Sequence, residues 1–102
     1  MFLMEFSITP MGHGESVSSY VARCVDIVEQ SGLDYRLHAM GTVVEGELEP
    51  LLRILQQSFE ILRPDCDRIS CSVKFDYRRA GKDRLDGKVA SVERKLGRDL
   101  RK

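Results

Sequence analysis

The sequence predicts an α+β domain in which a four-stranded antiparallel sheet carries two helices on one face, with a further helix at the C-terminal end. Three observations predict it. Two segments, residues 2–10 and 68–78, alternate apolar with polar side chains, the period of a strand that buries one face. Two segments between them repeat apolar residues at i, i+3, i+4 and i+7, the period of a helix that buries one stripe. Residues 35–46 form two short extended runs around Gly41, which reads as a hairpin.

In the first strand Met4, Phe6 and Ile8 share one face, Glu5, Ser7 and Thr9 the other, and Pro10 ends the run. The loop MGHGES turns the chain with two glycines. Ser16 is placed to cap a helix whose stripe is Val17, Tyr20, Val21, Cys24, Val25 and Val28. Gly32 ends it as a residue that tolerates positive φ. Tyr35 to Met40 and Thr42 to Gly46 are the hairpin strands. The second helix has the stripe Leu48, Leu51, Leu52, Leu55, Phe59 and Leu62, with Glu47 and Glu49 at the positive end of its dipole. Pro50 falls in its first turn and Pro64 closes it. The last strand sets Ile69, Cys71, Val73, Phe75 and Tyr77 against Arg68, Ser70, Ser72, Lys74, Asp76 and Arg78. A charged loop, RRAGKDRLDG, leads to a final helix striped by Leu85, Val89, Val92, Leu96 and Leu100. That narrow stripe predicts a surface for a partner copy. The order β-α-β-β-α-β-α contains the ferredoxin-like βαββαβ sandwich in its first six elements. One domain is expected over residues 1–102, with residues 1–78 as its core and 79–102 as basic loop and helix. The second sheet face is expected to be polar and rich in hydroxyls.

Composition narrows the functional classes. Formal net charge is zero, which disfavours non-specific nucleic-acid binding. The zero conceals an asymmetry: residues 1–77 hold 6 Lys and Arg against 12 Asp and Glu, a net of −6, and residues 78–102 hold 10 against 4, a net of +6. The basic tail lacks the aromatic platforms of single-strand binders, and Asp83, Asp86, Glu93 and Asp99 interrupt it. Three cysteines, Cys24, Cys66 and Cys71, show no CxxC spacing and read as thiols in a reducing cytosol. The start MFLMEFSITP is a strand rather than a signal peptide, and no run approaches the ~20 apolar residues of a membrane span. The expected location is cytoplasmic.

No catalytic signature appears: there is no G-x-S-x-G elbow and no P-loop. His13 and His38 are the only histidines and have no metal-ligand spacing around them. A small ferredoxin-like acyl phosphatase needs an asparagine to position water, and this chain has none. The PMGHGES loop could cradle an anion at a helix entry, but Glu15 opposes one there. Within HAMGTVVEGE, His38 has a structural reading as a strand residue. Glu45 alternates with Val43 against Thr42, Val44 and Gly46; if Val43 faces the core, Glu45 points inward or toward an edge cavity, where a buried carboxylate needs a partner, and the alternation alone does not settle which way it faces.

The stretch SITPMGHGESVSSYVARCVDIVEQSGLDYRLHAMGTVVEGE, with the later KFDYR and KVASVERKL, resembles the small thiamine-binding protein family. Its blocks correspond to I-x-P-x-G, S-V-S-x-Y-V, S-G-L-x-Y, H-x-M-G-T and E-G-E. The resemblance covers nearly the whole chain. It implies binding of thiamine or its hydroxymethylpyrimidine part without turnover, with no further cofactor, by dimers or tetramers. The ligand-binding residues expected on this reading are Glu45, Thr42, Gly41, Met40, His38, Met11, Ser7 and Thr9. Glu45 would accept from the exocyclic amine, Thr42 and the Gly41 amide would orient the ring, and His38 and Met40 would line its wall. Met11 and Tyr35 would add polarisable or flat surface. The alternative is a structural or regulatory oligomer without a thiamine ligand, in which HAMGT is a hairpin only.

Overall fold

The computed structural model describes residues 1–12, 17–80 and 84–101, with the backbone alone at Arg84. Its elements are β1 (Phe2–Met11), α1 (Ser18–Ser31), β2 (Asp34–His38), β3 (Gly41–Gly46), α2 (Leu48–Leu62), β4 (Arg68–Tyr77) and α3 (Arg84–Leu96). The four strands form one antiparallel sheet in the order β2-β3-β1-β4, the ferredoxin-like arrangement.

Register divides the side chains between two sheet faces. Met4 lies opposite Val44 and Phe75, and Phe6 opposite Thr42 and Val73. These residues face α1 and α2. Met4, Phe6, Ile8, Val44, Cys24, Val28, Leu51, Ile54 and Leu62 form the core there, with Cys66 at its rim. The other face holds Glu5, Ser7 and Thr9 of β1, Val43 and Glu45 of β3, and Asp34, Arg36 and His38 of β2.

Several expectations shift by a residue or a turn. β1 continues through Pro10 to Met11, with Pro10 opposite Ile69. The missing proline N–H is tolerated because the β3 side of β1 has no ladder at that point. Ser16 lies outside the described residues. α1 opens instead on Val17, whose carbonyl accepts from the amides of Tyr20 and Val21 at 3.1 and 3.0 Å and whose side chain makes no cap. The buried line of α2 is Leu51, Ile54, Ser58 and Leu62, while Leu48 and Leu52 are exposed. Apolar identity alone points to Leu48 and Leu52. The packed face includes Ser58 because its hydroxyl donates to the Ile54 carbonyl at 2.7 Å, so burial leaves no unmet hydrogen bond.

α3 also departs from expectation. It packs against β2 and β3, on the face opposite α1 and α2, where Arg36 Nη2 lies 2.8 Å from Asp86 Oδ2. Its first turns therefore return to their own sheet rather than standing free for a partner. The helix ends at Leu96, before Leu100 can continue the stripe. Gly97 has φ 71°, and its amide and that of Arg98 both donate to the Glu93 carbonyl. Val92 and Leu96 remain exposed.

The face of β4 toward the helices is only half covered. Ile69 and Cys71 pack against the core, but Val73, Phe75 and Tyr77 are 40%, 38% and 58% exposed. All three cysteines are free thiols.

The burial pattern of α2 separates two leucines that the sequence treats alike. Leu51→Ala should lower the unfolding free energy by about 2–5 kcal/mol. Leu52→Ala should lower it by less than about 1 kcal/mol. Urea denaturation followed by circular dichroism measures both.

Candidate functional site

β1 has unequal partners. It pairs with β4 from Phe2 to Met11 but with β3 only from Phe2 to Phe6. Beyond Phe6 the β3 side of β1 opens into a cavity of about 290 Å³. α1 closes one wall through Val21, Cys24 and Val25, and the β2–β3 hairpin closes another through residues 37–42. The hairpin comes close enough only because position 41 is glycine: a Cβ there would lie 2.8 Å from the Phe6 carbonyl oxygen.

The lining has two chemistries. Phe6, Ile8, Val21 and Leu37 present apolar surface, and Ser7, Thr9, Thr42 and His38 present hydroxyls and an imidazole. Burial pushes the Cys24 thiol up, and the hydrogen bond with Ser58 offsets this only in part. Cys24 is therefore a neutral, soft wall rather than a thiolate. Among the described residues, no Asp or Glu lines this cavity. Its volume is near the lower end of the roughly 300–1,000 Å³ of small-molecule sites, a size that suits one substituted ring.

Six residues singled out from the sequence meet at this cavity: Ser7, Thr9, His38, Met40, Gly41 and Thr42. Met40 is at the hairpin tip and 82% exposed. It also borders a smaller cavity of about 170 Å³ on the polar sheet face, with Glu5, Ser7, Ser72 and Lys74. His38 Nε2 lies 4.0 Å from a Glu5 carboxylate oxygen on that face. Met11 is exposed at the end of β1, opposite Arg68, and lines neither cavity.

Glu45 is elsewhere too. It is 5% exposed, faces away from α1 and α2, and lies opposite Leu3 and Asp34. Three residues along a strand from Thr42 is roughly 10 Å, and an odd step turns the side chain to the other face. Glu45 and Thr42 therefore cannot converge on one ligand group from this strand. Tyr35 is also away from the cavity: its hydroxyl donates to the Glu29 carboxylate of α1. That bond, ahead of burial, pushes the Tyr35 phenol up.

The α1 side of the cavity is what the sequence hid. Val21, Cys24 and Val25 read only as members of a core stripe, yet Val21 and Val25 lie on its flank, where the sheet has no third strand to cover them. A groove of about 670 Å³ runs between α1 and α2, lined by Asp26, Gln30, Arg53 and Glu60 among others. It faces outward and holds none of the residues singled out above. The His13 position lies outside the described residues. Among the described residues, no three His, Cys, Asp or Glu side chains gather in a group that could hold a metal ion, and no helix is long and apolar enough to cross a membrane.

Comparison with known proteins adds the family. The model of the family described as "Thiamine-binding protein" matches residues 4–93. A UPF0045 protein of Mycobacterium bovis is 37% identical over 95 residues, covering 92% of this chain and 93% of that protein. A UPF0045 protein of Methanocaldococcus jannaschii is 33% identical over 88 residues, covering 86% and 88%. Among solved structures, the hypothetical protein MJ1052 of M. jannaschii superposes with a TM-score of 0.81 at 32% identity, over 89% of this chain and 94% of that one. A candidate thiamine biosynthesis or salvage protein of Thermotoga maritima gives 0.78 at 19% identity, over 89% and 97%. At that identity the last likeness shows the fold alone.

The close approach at Gly41 has a measurable consequence. Gly41→Ala should destabilise the domain by about 1–3 kcal/mol through overpacking against the Phe6 backbone. In ¹⁵N correlation spectra its shifts should concentrate on Phe6 to Thr9 and residues 38–42, with α2 little affected.

Proposed function

The chain belongs to the thiamine-binding protein family, and on that premise we propose that it binds thiamine or its hydroxymethylpyrimidine part, without turnover, in the cavity beside the β2–β3 hairpin. The single observation that carries this reading is the small mixed cavity where β1 outruns β3. A ring can lie between apolar walls there while hydroxyls and backbone groups meet its edge. The protein would work as a small cytosolic oligomer.

In this reading Ser7, Thr9 and Thr42 supply hydroxyls to the exocyclic amine and the ring nitrogens. Backbone groups of β1 past Phe6 add donors and acceptors on the side where, among the described residues, no strand pairs with them. Leu37, Phe6 and the flexible Met40 thioether cover the faces of the ring. The cationic thiazolium of intact thiamine would extend toward Glu5, beside His38 at the neighbouring cavity. The −6 of residues 1–77 favours such a cation, weakly at physiological salt. In this reading Glu45 has no ligand role, because it is buried on the sheet face against which α3 packs.

Calorimetric titration with thiamine and with hydroxymethylpyrimidine tests the proposal. Saturable heat is expected for at least one of them. Ser7→Ala and Thr9→Val should each weaken the affinity roughly 2- to 10-fold, the worth of one hydrogen bond. Glu45→Gln should leave it unchanged. No heat from either compound near ~1 mM, about −4 kcal/mol of binding, would overturn the proposal and leave a structural or regulatory oligomer as the better reading.

A further inference from the structure

The proposed binding mode leaves the β4 side of the smaller cavity, about 170 Å³ on the polar sheet face, without an occupant. This cavity shares Phe6, Ser7 and Met40 with the larger one, and its lining then crosses β1 to β4 through Glu5, Ser72 and Lys74. Register places these groups. Glu5 lies opposite Lys74, and Ser7 opposite Ser72; directly opposed residues share a sheet face. α3 packs on β2 and β3 of that face, while Ser72 and Lys74, on the far side of β1, are exposed.

Charge is ordered along this line. The Glu5 carboxylate lies 4.0 Å from His38 Nε2, on the side of the hairpin. Lys74 is directly across from Glu5, yet among the described residues its ammonium makes no ion pair and no hydrogen bond. Ser72 lines the same cavity beside it, and Asp76, the next residue on that face of β4, does not. From the hairpin outward the cavity therefore offers first a carboxylate, then a hydroxyl and an unpaired ammonium.

We infer that the β4 side of this cavity is a phosphate subsite, and that the chain takes the phosphate monoester of thiamine in preference to thiamine itself. The inference rests on the thiamine reading above and names the form of the ligand. Thiamine carries a permanent cation in its thiazolium and ends in a primary alcohol. With the thiazolium beside Glu5, the alcohol arm continues across β1 toward β4. β3 and β4 are two strand spacings apart, roughly 10 Å, a span that two linked rings and a two-carbon arm can cover. A phosphoryl group on that alcohol carries close to two negative charges at neutral pH. It would meet the Lys74 ammonium and the Ser72 hydroxyl, both of which can donate to its oxygens. Unesterified thiamine leaves both to water.

Glu5 explains why the occupant is an ester rather than a free anion. Inorganic phosphate in this cavity would face Lys74 and Glu5 together, and repulsion by the carboxylate would offset attraction by the ammonium. In the ester the thiazolium neutralises Glu5, and the phosphate then meets Lys74 alone. The two charges of the ligand thus follow the order of the two charges in the cavity.

Calorimetric titration of the full chain with thiamine, thiamine monophosphate and inorganic phosphate tests this. The ester should bind roughly 3- to 10-fold more tightly than thiamine at low ionic strength, the worth of one exposed charge pair and one hydroxyl hydrogen bond. Added salt should shrink that ratio, because the charges are exposed to solvent. Lys74→Gln should bring the ratio to about one, and Ser72→Ala should lower it by less. Both positions are exposed, and circular dichroism melts establish that each variant is folded. Inorganic phosphate alone should give no saturable heat at the same concentrations. Equal affinities for thiamine and its ester, a preference that survives Lys74→Gln, or saturable binding of inorganic phosphate by itself would each overturn the inference and leave the thiamine reading standing. Absence of heat from thiamine and its ester alike would overturn both.

Discussion

The architecture depends on one inequality of backbone pairing. β1 has hydrogen-bonding partners on both sides over Phe2 to Phe6, and on the β4 side alone from there to Met11. A strand paired on both sides is held in register, and period two then fixes which side chains enter the core. Met4, Phe6 and Ile8 are buried for that reason. Where β3 stops, β1 becomes locally an edge. Pro10 fits there without breaking a ladder, the cavity opens there, and Gly41 is required there because the hairpin turns against the Phe6 carbonyl.

The same inequality accounts for the two-sided chemistry of the cavity. Inside a fully paired sheet a site would be lined from one face only. At the exposed flank of β1, residues of both faces can border the same space: Phe6, Ile8 and Thr42 belong to the face toward the helices, Ser7, Thr9 and His38 to the other. An apolar wall and a polar rim therefore meet without burying an unpaired charge. At the opposite end of the sheet α3 packs on β2 and β3, and the Glu45 carboxylate is enclosed on that face. A carboxylate on the β2–β3 hairpin thus becomes part of the packing, a short distance away in sequence and on the opposite face from Thr42.

Much of the fold was legible because its signals are local. The alternation in residues 2–10 and 68–78, the two helical stripes and the turn at Gly41 each lie within a window of a few residues, and each element formed close to where its period placed it. Six of the residues expected at a site border one cavity for a different reason. They cluster in HAMGT and on one alternation of the first strand, and antiparallel pairing brings those stretches side by side. The α1 wall of the cavity was not legible. Val21 and Val25 carry the same helical spacing whether a sheet covers them or a cavity does.

By itself, then, the sequence determined the order and type of the elements, the face each strand offers, and the resemblance that makes thiamine the first molecule to test. Periodicity suffices for these because it is a property of neighbouring residues. Only the tertiary structure decided which offered surfaces found a cover. It placed α3 over β2 and β3, left Val73, Phe75 and Tyr77 of β4 exposed, and let the β3 ladder reach no further along β1 than Phe6. Those outcomes depend on the relative lengths of strands and helices that meet across long stretches of chain. A local pattern records that a side chain is apolar, but not whether anything reaches it.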